Sequence, residues 1–205
     1  MADEMVVFTI GHSTLSYERF LELLRQHSIN AVADVRSMPF SKHFPQFNRD
    51  ALHAELKSDK IHYVFLGDEL GGRPKSRNLY LNTTADYEKM AMTDSFRSGI
   101  ERVASGAQKY RLSLMCSEHD PLDCHRCLLV GRALKGRSMH VHHILSSGDI
   151  VDQDEIERKL LVMSKNDKAD LFASESDLVS AAYRYQSMRV AYAESKPGAR
   201  FEAAE

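Results

Sequence analysis

The sequence lacks the features of membrane, secreted and disulfide-stabilised proteins. No apolar run approaches the roughly 20 residues that a membrane-spanning helix needs. The acidic start, Met1-Ala2-Asp3-Glu4, is followed by an apolar segment and has none of the basic and apolar regions of a signal peptide. The three cysteines are an odd number, which argues against a secreted disulfide framework. We therefore expect a soluble, cytoplasmic protein with reduced thiols and no membrane partner.

An excess of one charge sign is also missing. The chain has 27 Lys+Arg against 29 Asp+Glu, which gives a net charge of -2 and no global electrostatic case for nucleic-acid binding. A local basic groove is still compatible with this balance. Histidine is absent from the last part of the chain, since all ten histidines lie between His12 and His143. We expect the functional chemistry in the first three quarters of the sequence.

The hydrophobic content of 43% over 205 residues is enough for one sizeable core. Short apolar runs alternate with segments of helical periodicity, which is typical of βα units and a mainly parallel sheet. The expected strands are Met5–Ile10, Ala31–Val35, Ile61–Leu66, Leu112–Cys116 and Met139–Leu145. This pattern predicts an α/β core domain over residues 1–150 with a sheet of about five strands. Residues 151–205 are expected to form a C-terminal helical extension, packed on the core or on a partner subunit in a homodimer.

Residues that cap helices indicate where the helices begin. Ser16 and Asn48 each precede a segment of helical periodicity, and Asp120 with Pro121 forms a favourable pair for starting a helix after the fourth strand. This start places three residues in the first two turns of that helix: Cys124, His125 and Arg126. The segment 67–83, rich in Gly, Arg, Lys and Asn, is predicted to be a functional loop or lid.

The richest cluster of reactive side chains follows the fourth strand. Residues 115–127 contain all three cysteines, two histidines and an arginine. In open α/β sheets, ligands bind at this edge, and the unpaired amides of the next helix can lower the pKa of a thiol or hold a phosphate. Cys116 is therefore a candidate nucleophile or redox thiol, with Glu118 and His125 as proton-transfer groups. The alternative is a buried cysteine that packs as a small hydrophobe.

Metal binding is another interpretation of the same cluster. Cys124-x-x-Cys127 has a spacing found among zinc ligands, and Cys116 with His125 or His119 would complete a set of four. A Cys-x-x-Cys pair inside a regular helix differs from the turn-borne pairs of zinc fingers, and the chain has no second pair. Zinc or iron is therefore an alternative rather than the leading expectation.

Two phosphate-binding loop motifs are absent. A phosphatase-type Cys-x5-Arg loop that starts at Cys116 would need an arginine where Leu122 stands. The glycines at 71–72 beside Arg73 are not followed by the Gly-Lys-Ser/Thr ending of a Walker loop. This glycine-rich segment can still approach a phosphate, or it can serve as a mobile lid.

A second group of polar residues, Gly11-His12-Ser13, follows the first strand. In a parallel sheet this turn lies at the same edge as Cys116. Gly11 permits a close backbone approach, while His12 and Ser13 can hydrogen-bond a ligand or cap the next helix.

A third group follows the second strand. Asp34 lies in an apolar run and needs a partner to offset its desolvation, for which Arg36 is the nearest cation. The pair can bind a ligand or simply fix its loop. Lys42 and His43 lie further along the same loop with two aromatic residues, a composition that suits a nucleotide or a nucleic-acid base.

Several short motifs occur in order between residues 5 and 150. They are Thr9-Ile10-Gly11-His12-Ser13, Asp34-Val35-Arg36-Ser37 with Pro39 and Ser41, Phe47-Asn48, Tyr63 with Leu66-Gly67, Leu70-Gly71-Gly72, Met115-Cys116-x-Glu118, Cys124-His125-Arg126 and His143-Ile144. Together they resemble the domain of unknown function 488 family. The resemblance implies a compact three-layer α/β/α domain with a polar site and no established reaction. The matching site positions are Gly11, His12, Ser13, Asp34, Arg36, Ser37, Asn48, Cys116, Glu118, Cys124, His125 and Arg126. Cys127 lies outside the pattern.

The leading hypothesis is an enzyme-like domain that binds a phosphate-bearing ligand, such as a nucleotide or nucleic acid, at the carboxyl edge of the sheet. Arg36 and Arg126 would hold the anion. Cys116 would act in a cysteine-dependent transferase or hydrolase, while Glu118, His125 and His12 would serve the proton transfers.

Two alternatives stay open. The first is a non-catalytic module that binds nucleic acid or a small molecule and has structural or redox-sensing cysteines. The second is a metal-dependent hydrolase that uses Cys116, Cys124 and His125 as ligands.

Overall fold

The computed structural model describes residues 5–165 and 174–194 and has the predicted α/β architecture. Its strands are β1 (Val6–Gly11), β2 (Ala31–Asp34), β3 (His62–Phe65), β4 (Tyr80–Leu81), β5 (Thr84–Ala85), β6 (Leu112–Cys116), β7 (His140–Ile144) and β8 (Ile150–Asp152). Its helices are α1 (Tyr17–Gln26), α2 (Arg49–Ser58), α3 (Gly67–Leu70), α4 (Tyr87–Ala91), α5 (Asp94–Ala107), α6 (Arg132–Lys135), α7 (Gln153–Met163) and α8 (Glu175–Val190).

The main sheet has six strands in the order β3-β2-β6-β1-β7-β8. The five predicted strands are all present and pair in parallel, while β8 adds an antiparallel edge. β2, β6 and β1 are neighbours, and Gly11 lies opposite Cys116 in the register. The loops that follow these three strands carry the three polar groups found in the sequence. The topology therefore brings them together at one edge.

Helices cover both faces of the sheet, which confirms the three-layer arrangement. Val32 and Met115 belong to an apolar cluster that also includes Leu24 of α1 and Leu52 of α2. The neighbouring strand residue Ala33 belongs to a second cluster, on the side of helices α4 to α8. Successive strand residues face opposite sides, so a sheet buried on both faces consists of nearly continuous apolar runs. Within residues 5–165 and 174–194, no helix has the length and apolar character needed to cross a membrane.

The predicted helix start after β6 is wrong in its detail. Asp120 does cap, accepting a hydrogen bond from the Leu122 amide at 2.8 Å, but it caps only the 3-10 turn Pro121–Asp123. Cys124 is extended, with φ -135° and ψ 137°, and therefore ends that turn. A π-helical turn, Arg126–Gly131, then continues into α6. Cys124 thus precedes the helix instead of lying within it.

The segment 67–83, predicted to be a loop or lid, contains regular structure. It includes α3, the 3-10 turn Arg77–Leu79 and the first strand of the β4–β5 hairpin. The Tyr80 hydroxyl donates to the Pro74 carbonyl at 2.8 Å and ties the segment to the hairpin. Hydrogen bonds within the segment and to the hairpin therefore order most of a stretch whose composition is typical of a loop.

A buried polar network connects the C-terminal helices to the sheet. His143 accepts from Thr9 at 2.7 Å and donates to Gln153 at 2.8 Å, and Gln153 donates to the Tyr183 hydroxyl at 2.7 Å. Ser174 caps α8 in a capping box with Asp177. The domain division at residue 150 and the homodimer stay predictions. Residues 166–173 and 195–205 of the extension lie outside the described part of the chain.

Candidate functional site

Two cysteines, a glutamate and a histidine converge where β6 ends. Glu118 Oε2 accepts hydrogen bonds from the Cys116 and Cys124 thiols, at 2.8 and 3.0 Å from Sγ. His125 Nδ1 lies 3.6 Å from Cys116 Sγ and 3.9 Å from Cys124 Sγ. One potential metal-ligand atom from each of the four residues lies within 4.8 Å of the other three. We refer to Cys116, Glu118, Cys124 and His125 as the thiol cluster.

The orientation of His125 is fixed from outside the thiol cluster. Its Nε2 lies 2.9 Å from the Val35 carbonyl oxygen. A carbonyl only accepts hydrogen bonds, so Nε2 carries a proton and, in the neutral ring, the Nδ1 lone pair faces the two sulfurs. Gly72 packs directly against this ring, because a Cβ at that position would lie 2.8 Å from His125 Cγ.

The pKa values of Cys116, Glu118 and Cys124 shift in different directions. Burial opposes the ionisation of Cys124, but the hydrogen bond with Cys116 and the positive charge of Arg126 outweigh it and lower the Cys124 pKa well below its usual value. Burial and the neighbouring Cys124 sulfur raise the pKa of Cys116. Burial and the Cys124 charge also raise the pKa of Glu118, whose Oε2 sits between the two sulfurs although part of the residue reaches solvent. These opposite directions favour Cys124 over Cys116 as the thiol that ionises first, and the role of Cys116 as nucleophile stays a prediction.

Arg126 supports the thiol cluster from behind. Its side chain is completely buried and donates to the Glu118 carbonyl at 2.7 Å and the His119 carbonyl at 3.0 Å. It therefore fixes the loop that carries Glu118 and places a positive charge beside Cys124. The predicted contact between Arg126 and a bound anion is not what this geometry favours, because the guanidinium does not line the adjacent cavity.

The turn after β1 holds the loop after β6 in place. The His12 amide donates to the Cys116 carbonyl and the Ser13 amide to the Ser117 carbonyl, both at 2.9 Å. At Gly11 an added Cβ would lie only 1.8 Å from the Glu118 carbonyl oxygen. Because that atom belongs to the backbone, only glycine permits this approach. Gly11 and Ser13 therefore position the site through their backbone.

Arg36 is fixed in an internal ion pair. Its Nε and Nη2 donate to the Asp34 carboxylate at 2.9 and 2.7 Å, Nη2 also donates to the Phe47 carbonyl, and Nη1 donates to His12 Nε2. Asp34 accepts a further hydrogen bond from Tyr63 at 2.8 Å. Four of the five N–H groups of a guanidinium are used in this way, and Arg36 still lines the cavity. His12 is buried behind Arg36 and does not reach the cavity, so the structure favours a supporting role over the predicted catalytic one.

Two further predicted residues differ in role. Asn48 Oδ1 accepts from the Ser41 amide at 2.6 Å, which fixes the loop after β2 and leaves Asn48 outside the cavity lining. Ser37 lines the cavity, and its Oγ accepts from the Arg73 amide at 2.9 Å. Ser37 therefore links the loop after β2 to the glycine-rich segment.

The thiol cluster opens into a cavity of about 280 Å³, at the lower end of ligand-binding cavities. The predicted site residues that line it are Arg36, Ser37, Cys116, Glu118 and His125. Lining residues outside the predicted set include Gly72, Arg73, Tyr87, Asp123, Val190 and Tyr192. Gly72 and Arg73 belong to the glycine-rich segment that the sequence singled out. No local pattern indicates Tyr192, which tertiary structure alone brings to the cavity.

His12 and His143 should remain neutral well into the acid range. Burial, followed by the nearby charge of Arg36 or Arg126, lowers the pKa of each from 6.5 to about 4. The unfolded chain binds these protons from about pH 6.5 downward, so stability is present above that pH and is lost as the pH falls towards 4. The loss amounts to about 3 kcal/mol per histidine at most.

An NMR titration of the ten histidine rings checks this expectation. Two ring signals should titrate near pH 4, and the free energy of unfolding in urea should fall between pH 6.5 and pH 4.5. Titration of all ten rings above pH 6 would contradict it.

Comparison with known families places the site in a wider context. The family model described as "Domain of unknown function DUF488" matches residues 16–133. The matched range extends from just before α1 into α6 and contains the whole thiol cluster. The Gly11-His12-Ser13 turn, β7, β8, α7 and α8 lie outside it. No curated protein and no solved structure matched the chain significantly.

Proposed function

The chain belongs to the family described as domain of unknown function DUF488, a description that names no reaction; from the site itself we propose a metal-dependent hydrolase. In this proposal Cys116, Cys124 and His125 bind a divalent transition metal, foremost zinc. Glu118 is the fourth donor or the base beside the metal, and the substrate is a small anion in the cavity.

The observation that carries the proposal is the convergence of the four donor atoms. Tetrahedral zinc with sulfur at about 2.3 Å and nitrogen at about 2.0 Å separates its donors by roughly 3.3 to 3.8 Å. Of the two distances from His125 Nδ1 to the sulfurs, 3.6 Å falls within that range and 3.9 Å lies just above it. The shorter distances to Glu118 Oε2 are those of thiol–carboxylate hydrogen bonds. To bind the metal, Glu118 Oε2 would need to move away from the two sulfurs by roughly 0.5 to 0.7 Å.

The surroundings of the thiol cluster are those of a ligand set. The Nε2–H group of His125 donates to a backbone carbonyl, which is the usual outer contact of a metal-binding histidine. The two sulfurs and the carboxylate hydrogen-bond mainly with one another, so a metal would replace the protons that they now share. Two cysteines and a histidine are a known ligand set of catalytic zinc, which keeps one position open.

The reaction follows from the position of Glu118 at the cavity. Zinc lowers the pKa of a bound water to about 7 and so generates a nucleophile at neutral pH. Glu118, whose own pKa is raised by burial, can accept the proton of that water. Arg36 and Arg73 line the same cavity together with Glu118 and Asp123, and the two arginines would supply the positive charge for an anionic substrate. The sequence-based expectation of a phosphate-bearing ligand is retained in this proposal, and a nucleotide or nucleic acid stays a prediction.

Hydrolysis of chromogenic esters tests the proposal. Zinc-loaded protein is expected to hydrolyse at least one of 4-nitrophenyl phosphate, bis(4-nitrophenyl) phosphate and 4-nitrophenyl acetate, and a chelator should abolish the activity. Glu118→Gln should lower kcat by about a hundredfold or more, because it removes the proton acceptor. Glu22→Gln, on the exposed side of α1, is the matched control. A rate unaffected by chelation, or no hydrolysis of any ester, would contradict the assignment.

Thiol chemistry is the second candidate, because Cys116 lines the cavity and its Sγ lies beside two proton acceptors, Glu118 and His125. This candidate predicts a metal-free protein whose Cys116 is alkylated by iodoacetamide. In the metal-dependent enzyme, zinc should protect Cys116 from alkylation until a chelator is added.

A further inference from the structure

A second cavity adjoins the cavity above the thiol cluster. The second cavity has a volume of about 500 Å³ and shares four lining residues with the first: Ser37, Met38, Arg73 and Tyr192. Apolar side chains, including Leu79, Met90 and Phe96, form part of its wall. Arg73 therefore stands at the junction, with the thiol cluster on one side and a larger, partly apolar space on the other.

Arg73 differs from the neighbouring arginines in its partners. Arg77 pairs with Glu194 and Arg102 pairs with Glu69, whereas Arg73 has no acidic partner among the described residues. Its guanidinium lies over the Tyr192 ring, 4.8 Å from the ring centroid, and its Nη1 is 3.9 Å from the sulfur of Met38. An arginine without a carboxylate, at the junction of two cavities, retains its donors for an oxyanion.

Arg36 points to the same class of ligand. Asp34, His12 and Phe47 use four N–H groups of its guanidinium, so one N–H is left over in a residue that lines the cavity. Its orientation is fixed by those buried contacts, so little side-chain freedom is lost on binding. An oxyanion between the thiol cluster and the second cavity would therefore accept hydrogen bonds from the fixed guanidinium of Arg36 and from the guanidinium of Arg73.

Tyr192, whose ring contacts Arg73, lies in a segment that backbone hydrogen bonds attach to the β4–β5 hairpin. The Ala85 amide donates to the Tyr192 carbonyl at 2.8 Å, the Glu194 amide donates to Thr83 at 2.9 Å, and Ala193 bridges Thr84. The residues that follow α8 are thereby attached to the β4–β5 hairpin by an isolated β-bridge and two backbone hydrogen bonds. Residues outside the range matched by the family complete the cavity in this way.

We propose that the two cavities form one substrate site for an organic phosphate monoester. The phosphoryl group binds at Arg73 and the free N–H of Arg36, the organic group enters the second cavity, and the Tyr192 ring positions Arg73. This inference rests on the proposed hydrolase function. Zinc held by Cys116, Cys124 and His125 would supply an activated water, and Glu118 would take its proton. The water oxygen would bond to phosphorus as the ester P–O bond breaks. The alkoxide would take the proton from Glu118, and the products would be an alcohol and inorganic phosphate.

Calorimetric titration of zinc-loaded protein with phenylphosphonate, inorganic phosphate and benzoate tests the site. Phenylphosphonate is a phosphate monoester analogue that cannot be hydrolysed, and we expect it to bind more tightly than either other probe. Arg73→Ala should weaken its binding by roughly tenfold or more, the effect of losing a charge-assisted hydrogen bond. Arg97→Ala, which removes an exposed arginine paired with Asp94, should bind it as the wild type does.

Tyr192 variants separate positioning from folding. Tyr192→Leu should weaken phenylphosphonate binding several-fold, and Tyr192→Phe, which keeps the ring under the guanidinium, should restore it. Equal binding by Tyr192→Leu and wild type would overturn the positioning role. Wild-type affinity for phenylphosphonate in Arg73→Ala would show that Arg73 does not bind the anion. Equal affinity of the wild type for phenylphosphonate and inorganic phosphate would show that the second cavity does not bind the organic group. Tighter binding of benzoate than of phenylphosphonate would contradict the choice of a phosphate ester as substrate.

Metal analysis of the same samples distinguishes this inference from the proposed function. If the variants and the wild type carry zinc but phenylphosphonate does not bind, the substrate site alone is wrong. If the wild type carries no metal, the proposed metal-dependent hydrolase function is itself wrong.

Discussion

Replacing Cys124 with serine should remove the metal from the protein. The surroundings of Cys124 lower its pKa, and its sulfur lies within hydrogen-bonding distance of both Glu118 and His125. A serine hydroxyl stays protonated and is a poor zinc ligand, so the site would keep only Cys116, His125 and Glu118. Loss of an outer contact alone costs about 10- to 100-fold in metal affinity, and loss of a ligand should exceed that. Zinc per chain, measured by elemental analysis after dialysis, should fall to a small fraction of the wild-type value.

Cys127→Ser is the matched control for this variant. Cys127 is as deeply buried as Cys124, but its sulfur faces Gln153, with Nε2 at 3.6 Å, on the side of the C-terminal helices. The variant should therefore keep the wild-type metal content, whatever its effect on stability. If Cys124→Ser and Cys127→Ser retain the same amount of metal, the ligand assignment is wrong.

Replacing Gly11 with alanine should destabilise the whole site. The new Cβ would lie 1.8 Å from the Glu118 carbonyl oxygen and 3.1 Å from Arg126 Nη2. To relieve this clash, either the β1 backbone or the loop that carries Glu118 must move. Either movement breaks hydrogen bonds, because the Gly11-His12-Ser13 turn donates to that loop and Arg126 donates to the Glu118 carbonyl. The cost in unfolding free energy should be about 2 to 4 kcal/mol, as for other overpacked positions with broken hydrogen bonds. Zinc affinity should fall as well, because the loop carries a donor.

Gly106→Ala controls for the general effect of glycine replacement. Its Cβ would meet only a Leu112 side-chain carbon at 3.4 Å, and Gly106 lies in α5, where alanine is the better helix former. Urea unfolding should therefore show unchanged or slightly higher stability for this variant. A neutral Gly11→Ala variant would show that the close approach of the two loops does not hold the site together.

Strand positions were the part of the fold that the sequence predicted best. A parallel sheet covered on both faces needs strands that are apolar on both sides, so its strands are visible as apolar runs. The strand β8 escaped prediction because only Val151 of its three residues is buried. The helix after β6 was predicted to begin too early because caps are local signals. The extended backbone of Cys124 and the π-helical turn that follows depend on tertiary packing.

Membership of the candidate site was more predictable than the roles within it. The order β2-β6-β1 follows from general α/β topology, and it brings the polar loops after those strands together. Which side chains reach the cavity depends on their partners. Arg126 and His12 are occupied by buried contacts, whereas Arg73 is left without a carboxylate. Such pairing is decided in three dimensions and leaves no pattern in the sequence.

X-ray absorption spectroscopy at the zinc edge of the purified wild-type protein tests the central claim most directly. With Cys116, Cys124 and His125 as ligands, the spectrum should show two sulfur neighbours at about 2.3 Å and nitrogen or oxygen neighbours at about 2.0 to 2.1 Å. A spectrum with only nitrogen and oxygen neighbours, or a protein purified without chelator that carries no stoichiometric metal, would contradict the metal centre.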